Sequence, residues 1–231
     1  MLILEGCVQP ALAPTINAAT ARVLDRLGIS LMSEPGCCGA LSYHLGAHEE
    51  GLQFMRRRID AWWPHLQQGA EAIVVTASGC GALIKEYGTI LRHDPAYAAK
   101  AERVAALAKD LGEVLVGEDL GQLRPLPARR IAFHSPCSLQ HGQKLAGLVE
   151  GLLTELGFTL TPVADAHLCC GSAGTYSLLQ PELSRRLLAA KLQALEAGEP
   201  ELIASANIGC LQLLRSAARV PVQHWVELLQ P

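Results

Sequence analysis

A cysteine doublet followed by glycine occurs twice in this chain, as Cys37-Cys38-Gly39 and as Cys169-Cys170-Gly171. The remaining cysteines fall at matching distances from each doublet. Cys7 stands 30 residues before Cys37, and Cys137 stands 32 before Cys169. Cys80 stands 42 after Cys38, and Cys210 stands 40 after Cys170. All eight cysteines are thereby used, four per half, offset by 130 to 132 residues. The chain therefore reads as a duplication in which each copy gathers thiols from far-apart loops.

At 231 residues the chain has room for one large domain or two smaller ones, and either can bury a core. Half of the residues are hydrophobic and the formal net charge is only -3, so no broad basic surface points to nucleic acid. Aromatics at 4% also argue against base-stacking surfaces. The opening Met1-Leu2-Ile3-Leu4-Glu5-Gly6-Cys7 has neither a basic region nor a cleavage site, so it does not read as a signal peptide. No uncharged apolar run approaches the ~18 residues of a membrane span. The expected compartment is thus the reducing cytoplasm, with a peripheral place on the inner face of the cell membrane left open. There, eight cysteines serve as ligands or redox thiols rather than as a disulfide framework.

Residues 1–5 read as a strand ending at Gly6-Cys7. Pro14 opens a helix that Gly28 closes, in keeping with proline at helix starts and glycine at C-caps. Ile29 to Met32 reads as a strand, 48–66 as a helix and Ala72 to Ala77 as a β-branched strand buried on both faces. A helix follows toward Leu91, and Pro95 begins another running through Val104, Leu107 and Leu111. In the second half, Arg130 to His134, Phe158 to Thr161, Leu202 to Ser205 and Val220 to Gln223 read as strands. Helices are expected over 142–156, from Pro181, and as a last turn from His224. The expected fold is α/β: two tandem Rossmann-like subdomains with open, mostly parallel sheets flanked by helices. The cysteine loops then lie at the carboxyl ends of the strands, where such sheets place their chemistry. The boundaries are 1–116, a Pro/Gly-bearing linker at 117–129, and 130–231.

Four thiols at one site suit Zn²⁺ or an iron–sulfur cluster. Structural zinc sites favour C-x₂₋₄-C knuckles, and the chain contains no C-x-x-C. Adjacent cysteines in an extended loop should point apart, a geometry that suits a multi-iron cluster better than one small ion. Gly39, Gly171, Gly79, Gly81 and Gly209 would let backbone N–H groups approach sulfur. Among the histidines, His134 near Cys137 and His167 near Cys169 are the better ligand candidates. Arg56-Arg57-Arg58 reads as a solvated helix face.

The repeated Cys-Cys-Gly pattern resembles the cysteine-rich CCG domains of heterodisulfide reductase and related electron-transfer subunits. Leu4-Glu5-Gly6-Cys7-Val8-Gln9-Pro10, Thr76-Ala77-Ser78-Gly79-Cys80-Gly81 and Cys169-Cys170-Gly171-Ser172-Ala173-Gly174-Thr175-Tyr176 are similar to the family of glycolate oxidase iron–sulfur subunits. The resemblance implies a non-flavin subunit of an oxidoreductase complex, inactive alone. It would take electrons from flavin-containing glycolate oxidase subunits that convert glycolate to glyoxylate and pass them toward a membrane quinone. It also implies cluster ligation by Cys7, Cys37, Cys38 and Cys80 in one half and by Cys137, Cys169, Cys170 and Cys210 in the other. Two departures shape this expectation. The fuller pattern ends in C-x-x-C, but Leu83 and Leu213 occupy the second positions. An ordinary [4Fe–4S] cluster, or Zn²⁺ in one half, is therefore expected over a five-thiolate noncubane cluster. The ferredoxin-like segment with C-x₂-C-x₂-C-x₃-C-P runs is also missing, so the chain corresponds to the C-terminal part of such a subunit or to a short relative. A zinc-stabilised scaffold and a thiol enzyme acting on a disulfide substrate are the competing functions.

Overall fold

The computed structural model describes residues 1–125 and 130–230. The first half runs β1 (Leu2–Leu4), α1 (Thr15–Arg26), β2 (Met32–Glu34), α2 (His48–Gln67), β3 (Ile73–Val75), α3 (Ser78–Lys85), α4 (Ala98–Leu107), β4 (Ala108–Asp110) and α5 (Leu111–Leu115). Its strands form one parallel sheet in the order β2-β1-β3-β4. The second half runs β5 (Arg130–His134), α6 (Leu148–Glu155), β6 (Thr159–Leu160), α7 (Pro181–Glu196), β7 (Leu202–Ser205), α8 (Ile208–Arg215) and β8 (Val222–His224). Its sheet, β6-β5-β7-β8, is again parallel and repeats the topology of the first. The expected α/β duplication is the observed architecture.

Local chemistry sets several boundaries. Pro14 stands at the N-cap of α1. After α1 the chain turns left-handed at Gly28 (φ +75°), whose N–H reaches the Asp25 carbonyl while that of Ile29 reaches Leu24. That is a glycine C-cap closing the last carbonyls of the helix. Along β3 the side chains alternate: Val74 enters one hydrophobic cluster, Ile73 and Val75 the other. Both faces of the strand are dry, which is why it carries no polar residue.

The first cluster ignores the boundary between halves. Ile16, Val23 and Leu24 of α1 and Leu111 and Leu115 of α5 share it with Ile131, Phe133, Leu153 and Trp225. Each large aliphatic side chain buried there contributes about 1.5–3 kcal/mol relative to exposure. Thr15 Oγ1 adds a 2.6 Å hydrogen bond to Glu227 across the same seam. The second cluster, with Met55, Ile59, Trp62, Ile84 and Val104, fills the opposite face of the first sheet.

Some expectations change. The second strand begins at Met32 rather than Ile29, because its partner β1 fixes the register and Leu2 pairs with Met32. The helix expected to continue through Leu111 stops at Leu107, and Ala108–Asp110 becomes the fourth strand. Val104, Leu107 and Leu111 keep helical spacing across that break, so periodicity alone hides it. The helix expected over 142–156 covers only Leu148–Glu155, preceded by a π-helical turn at Ser138–Gly142. Within the expected linker, Leu120–Gln122 form a 3₁₀ turn and Arg124–Pro125 pair antiparallel with Leu229–Gln230. The linker's residues 126–129 lie outside the described residues.

Candidate metal centres

The strand order reverses beside β1 in the first sheet and beside β5 in the second, and crevices at such points open past the strands' carboxyl ends. In the first half Gly6 (φ +84°) and Gly36 (φ +141°) form an isolated antiparallel bridge, which ties the turn before Cys7 to the turn before Cys37. Gly39 (φ +89°) then bends the chain, and its N–H donates to Cys37 Sγ at 3.4 Å. A side chain at Gly39 would meet the Gly51 carbonyl of α2 at 2.8 Å. Tyr87 Oη donates to the Cys38 carbonyl at 2.6 Å.

The second half repeats this construction. Gly171 (φ +96°) donates its N–H to Cys169 Sγ at 3.3 Å, and Ser184 Oγ of α7 donates to the Gly171 carbonyl at 2.9 Å. The expectation that adjacent sulfurs diverge is overturned. Cys37 interacts directly with Cys38, as Cys169 does with Cys170. The left-handed glycine turns the chain after each doublet and brings its own N–H back onto the first sulfur. Cys80 and Cys210 lie in the first turns of α3 and α8, not in loops, because each strand feeds the helix with almost no connection.

Each half thus joins its four thiols. Cys7 interacts with Cys37, Cys37 with Cys38, and Cys38 with Cys80. In the other copy Cys137 interacts with Cys169, Cys169 with Cys170, and Cys170 with Cys210. All eight cysteines are free thiols. Crowding divides their protons unequally. Cys37 is driven down to about 2 by the thiols of Cys38 and Cys7, with help from the Gly39 N–H and Arg58. Cys169 falls likewise to about 2 through Cys137 and Cys170. Cys7 and Cys137 are pushed up first by the bond to the low-lying thiol and then by burial, and Cys38 and Cys170 by that bond, then by the thiols of Cys80 and Cys210, then by burial. Soft donors that share protons along such a chain are a donor set for a soft metal ion or cluster, which would replace those protons. The residues present fit such a group.

Two cations that residue spacing alone does not mark support the loops. Arg58 of α2 donates to the Pro35 carbonyl, while its neighbours are used elsewhere: Arg56 pairs with Glu49 and Asp94, and Arg57 lies over Phe54. Lys191 of α7, 3% exposed, donates to the carbonyls of Asp165 at 3.0 Å and Ala166 at 3.3 Å. Arg58 follows Gly51 by the same interval as Lys191 follows Ser184. Laying one repeat over the other is the signal that finds them. A shallow cleft lined by Asp165, Leu168, Cys169, Leu187 and Lys191 opens beside the second site.

The two sites adjoin. Asn207 Nδ2 donates to Cys210 Sγ at 3.6 Å, and its Oδ1 accepts from the Gly79 N–H at 3.1 Å. Ser78 N–H donates to the Ala206 carbonyl at 3.1 Å, and the hydroxyls of Ser78 and Ser138 lie 2.8 Å apart. The helix that carries Cys80 is therefore bonded to the turns that carry Cys137 and Cys210.

Of the two histidines favoured from sequence, His134 joins the second cluster and His167 does not. A ring nitrogen of His134 and the sulfurs of Cys170 and Cys210 all lie within 4.8 Å of one another. His167 is exposed, and its carbonyl lies 3.3 Å from His141 Nε2. His224 is buried elsewhere, against the Thr76 carbonyl at 3.0 Å. Among the described residues no helix is long and apolar enough to cross a membrane.

A family model described as a cysteine-rich domain, CCG, matches residues 1–85 and again 131–215. The whole chain is 58% identical to a stretch covering 57% of the glycolate oxidase iron-sulfur subunit of Escherichia coli. Over 90% of its length it is 31% identical to 47% of a probable glycolate oxidase iron-sulfur subunit from Bacillus subtilis. Over 96% it is 29% identical to 95% of lactate utilization protein A from Anoxybacillus flavithermus. The chain spans about half the length of the first two relatives and nearly all of the third.

Proposed function

Because this chain belongs to the cysteine-rich CCG domain family, we propose that it is an iron–sulfur electron-transfer subunit of an enzyme complex oxidising a small 2-hydroxy acid, of which glycolate is the first candidate. The observation that carries this reading is a chain of four interacting thiols in each repeat, with Asn207 hydrogen-bonded both to Cys210 and to Gly79 beside Cys80. One site would serve a structural ion. Two adjoining sites of soft donors suit the passage of electrons from one to the next. A bound cluster, [4Fe–4S] in our reading, would supply one-electron uptake and release.

The chain's own residues would do the rest. Cys7, Cys37, Cys38 and Cys80 would hold one group; Cys137, Cys169, Cys170 and Cys210 would hold the other. The N–H groups of Gly39 and Gly171 and the amide of Asn207 point at sulfur, where hydrogen bonds set reduction potential. Burial of Cys38, Cys170 and Cys210 shields the inner side of each site, while exposed Cys7 leaves an edge accessible to a partner. Two relatives are named as subunits, which supports a complex with other chains. In our reading those chains are flavin-bearing subunits on one side and a quinone acceptor on the other, with the complex on the cytoplasmic face of a membrane. The division into repeats at 1–116 and 130–231 belongs to the same proposal.

Anaerobically prepared protein tests the reading. Brown colour, iron and sulfide in near-equal amounts, and an electron paramagnetic resonance signal on reduction are expected. Colourless protein carrying only zinc would replace it with the scaffold function. Cys170→Ser should empty the second site and leave the first occupied; simultaneous loss of both would show that the halves share one group.

A further inference from the structure

The repeats agree closely in their thiols, so the places where they disagree carry information. Three residues before Cys137 the chain ends β5 with His134; three residues before Cys7 it ends β1 with Leu4. Both side chains are buried, at 1% and 2% exposure. Leu4 packs in the apolar cluster beneath the first site. His134 takes the corresponding place beneath the second; among the described residues neither Nδ1 nor Nε2 has a partner at hydrogen-bond geometry, and the group it acts on is the Cys210 thiol. An imidazole buried without an oxygen or nitrogen partner bears the desolvation penalty of both ring nitrogens, offset only by the sulfur of Cys210, whose thiol it helps to hold below its ordinary range. Leucine in its place would cost nothing of the kind, as the first half demonstrates.

The ring is aimed at sulfur. One of its nitrogens, Cys170 Sγ and Cys210 Sγ form a triangle with every edge within 4.8 Å. Among the described residues this is the one group of three such donors drawn that close together, and the first site has no counterpart to it. The other side of the site is furnished for holding sulfur, by the Asn207 amide on Cys210 and the Gly171 N–H on Cys169.

We propose that His134 is a metal ligand that takes the place of one of the four thiolates of the second site, which then binds its inorganic group through mixed imidazole and thiolate donors while the first is all-thiolate. This rests on the reading that each half holds an inorganic group, but not on which one. The two sites would then differ in charge by one unit, since imidazole binds neutral and thiolate binds as an anion. Exchanging thiolate for imidazole raises the potential of an iron–sulfur centre. The duplication would thereby produce two unequal stations, with the second the easier to reduce and so the better electron acceptor of the pair.

Cobalt(II) is a suitable probe because its absorption spectrum reports thiolate and nitrogen ligation without any cluster having to assemble. The metal-free 231-residue chain with Cys38→Ser and Cys80→Ser, which disable the first site, is titrated anaerobically with Co²⁺. The expected spectrum is that of a tetrahedral ion with three sulfurs and one nitrogen. His134→Leu, which installs the residue of the first repeat, should convert it to an all-sulfur spectrum and weaken binding at least about 10-fold, the lower end of the loss seen when even an outer partner of a metal site is removed. His134→Cys should restore affinity without the nitrogen signature, which a packing role would not do. An unchanged spectrum and affinity in His134→Leu, or no Co²⁺ uptake at all, would overturn the assignment. Iron and sulfide content of the native protein, measured separately, decides whether the group is a cluster, so the two readings fail independently.

Discussion

At the scale of single residues the sites depend on glycines that no other residue can replace. Gly171 sits at φ +96°, and a Cβ there would lie 2.6 Å from the backbone carbonyl of Ser184. Gly157 also has a positive φ, +88°, but nothing lies within 4 Å of its would-be Cβ. Gly171→Ala should therefore cost backbone strain and a clash, about 2–3 kcal/mol, and release the metal of the second half alone. Gly157→Ala should cost about 1 kcal/mol of strain and leave both sites filled. Thermal melts with metal analysis distinguish the two, and equal effects would show that the loop yields more easily than its contacts imply. Lys191 and Arg58 act at this scale too. Each places a charged donor on the carbonyls that lead into a doublet, and neither spacing nor residue type marks them until the repeats are superposed.

At the scale of elements, the fourth strands of the two sheets end alike. Asp110 closes β4 and accepts from Gly112 N–H, while Glu113 returns to the Asp110 N–H. His224 closes β8 in the same way, with Val226 and Glu227. Burial acts on both and pushes them in opposite directions. Asp110 rises to about 7, chiefly by desolvation, and His224 falls to about 4 for the same reason. Between pH 4 and 6.5 the folded chain holds a proton on Asp110 that the unfolded chain has lost, so that contribution to stability fades as pH rises. Over the same interval the unfolded chain protonates His224's imidazole while the folded chain does not, so that contribution fades as pH falls. The two slopes oppose each other. Asp110→Asn should remove the first and add about 2–4 kcal/mol at pH 7, because a tenfold difference in proton affinity between folded and unfolded chain is worth ~1.4 kcal/mol. Its stability should also decline more steeply toward acid than that of the wild type. Denaturant melts from pH 4 to 8 check this; a variant whose pH profile parallels the wild type would mean that Asp110 titrates normally.

At the scale of the molecule, two repeats share one core. Helix α1 belongs to the first repeat by sequence, yet Ile16, Val23 and Leu24 pack with Trp225, Val226 and Leu228 of the second. Separate expression of 1–116 would expose that face of α1, together with Leu111 and Leu115. We expect neither that fragment nor 130–231 to unfold cooperatively alone, and we expect the two to reassociate when mixed. Independent melting of either fragment at the temperature of the whole chain would refute this. The same seam carries Asn207, Ser78 and Ser138 between the sites, so loss of docking should disturb both centres together.

The amino-acid sequence determined the duplication, the parallel α/β class and the identity of the eight thiols, because these follow from residue type, periodicity and spacing, which are local or countable. It also drew attention to His134. Only the tertiary structure decided that Ala108–Asp110 is a strand, that adjacent sulfurs turn together rather than apart, and that Arg58 and Lys191 stand behind the doublets. It also decided that, of His134 and His167, His134 is the one whose ring approaches sulfur. Each of these depends on what lies across space from a residue: a partner strand that overrides helical spacing, a left-handed glycine held against a helix, an apolar pocket that leaves an imidazole nothing to meet but thiols.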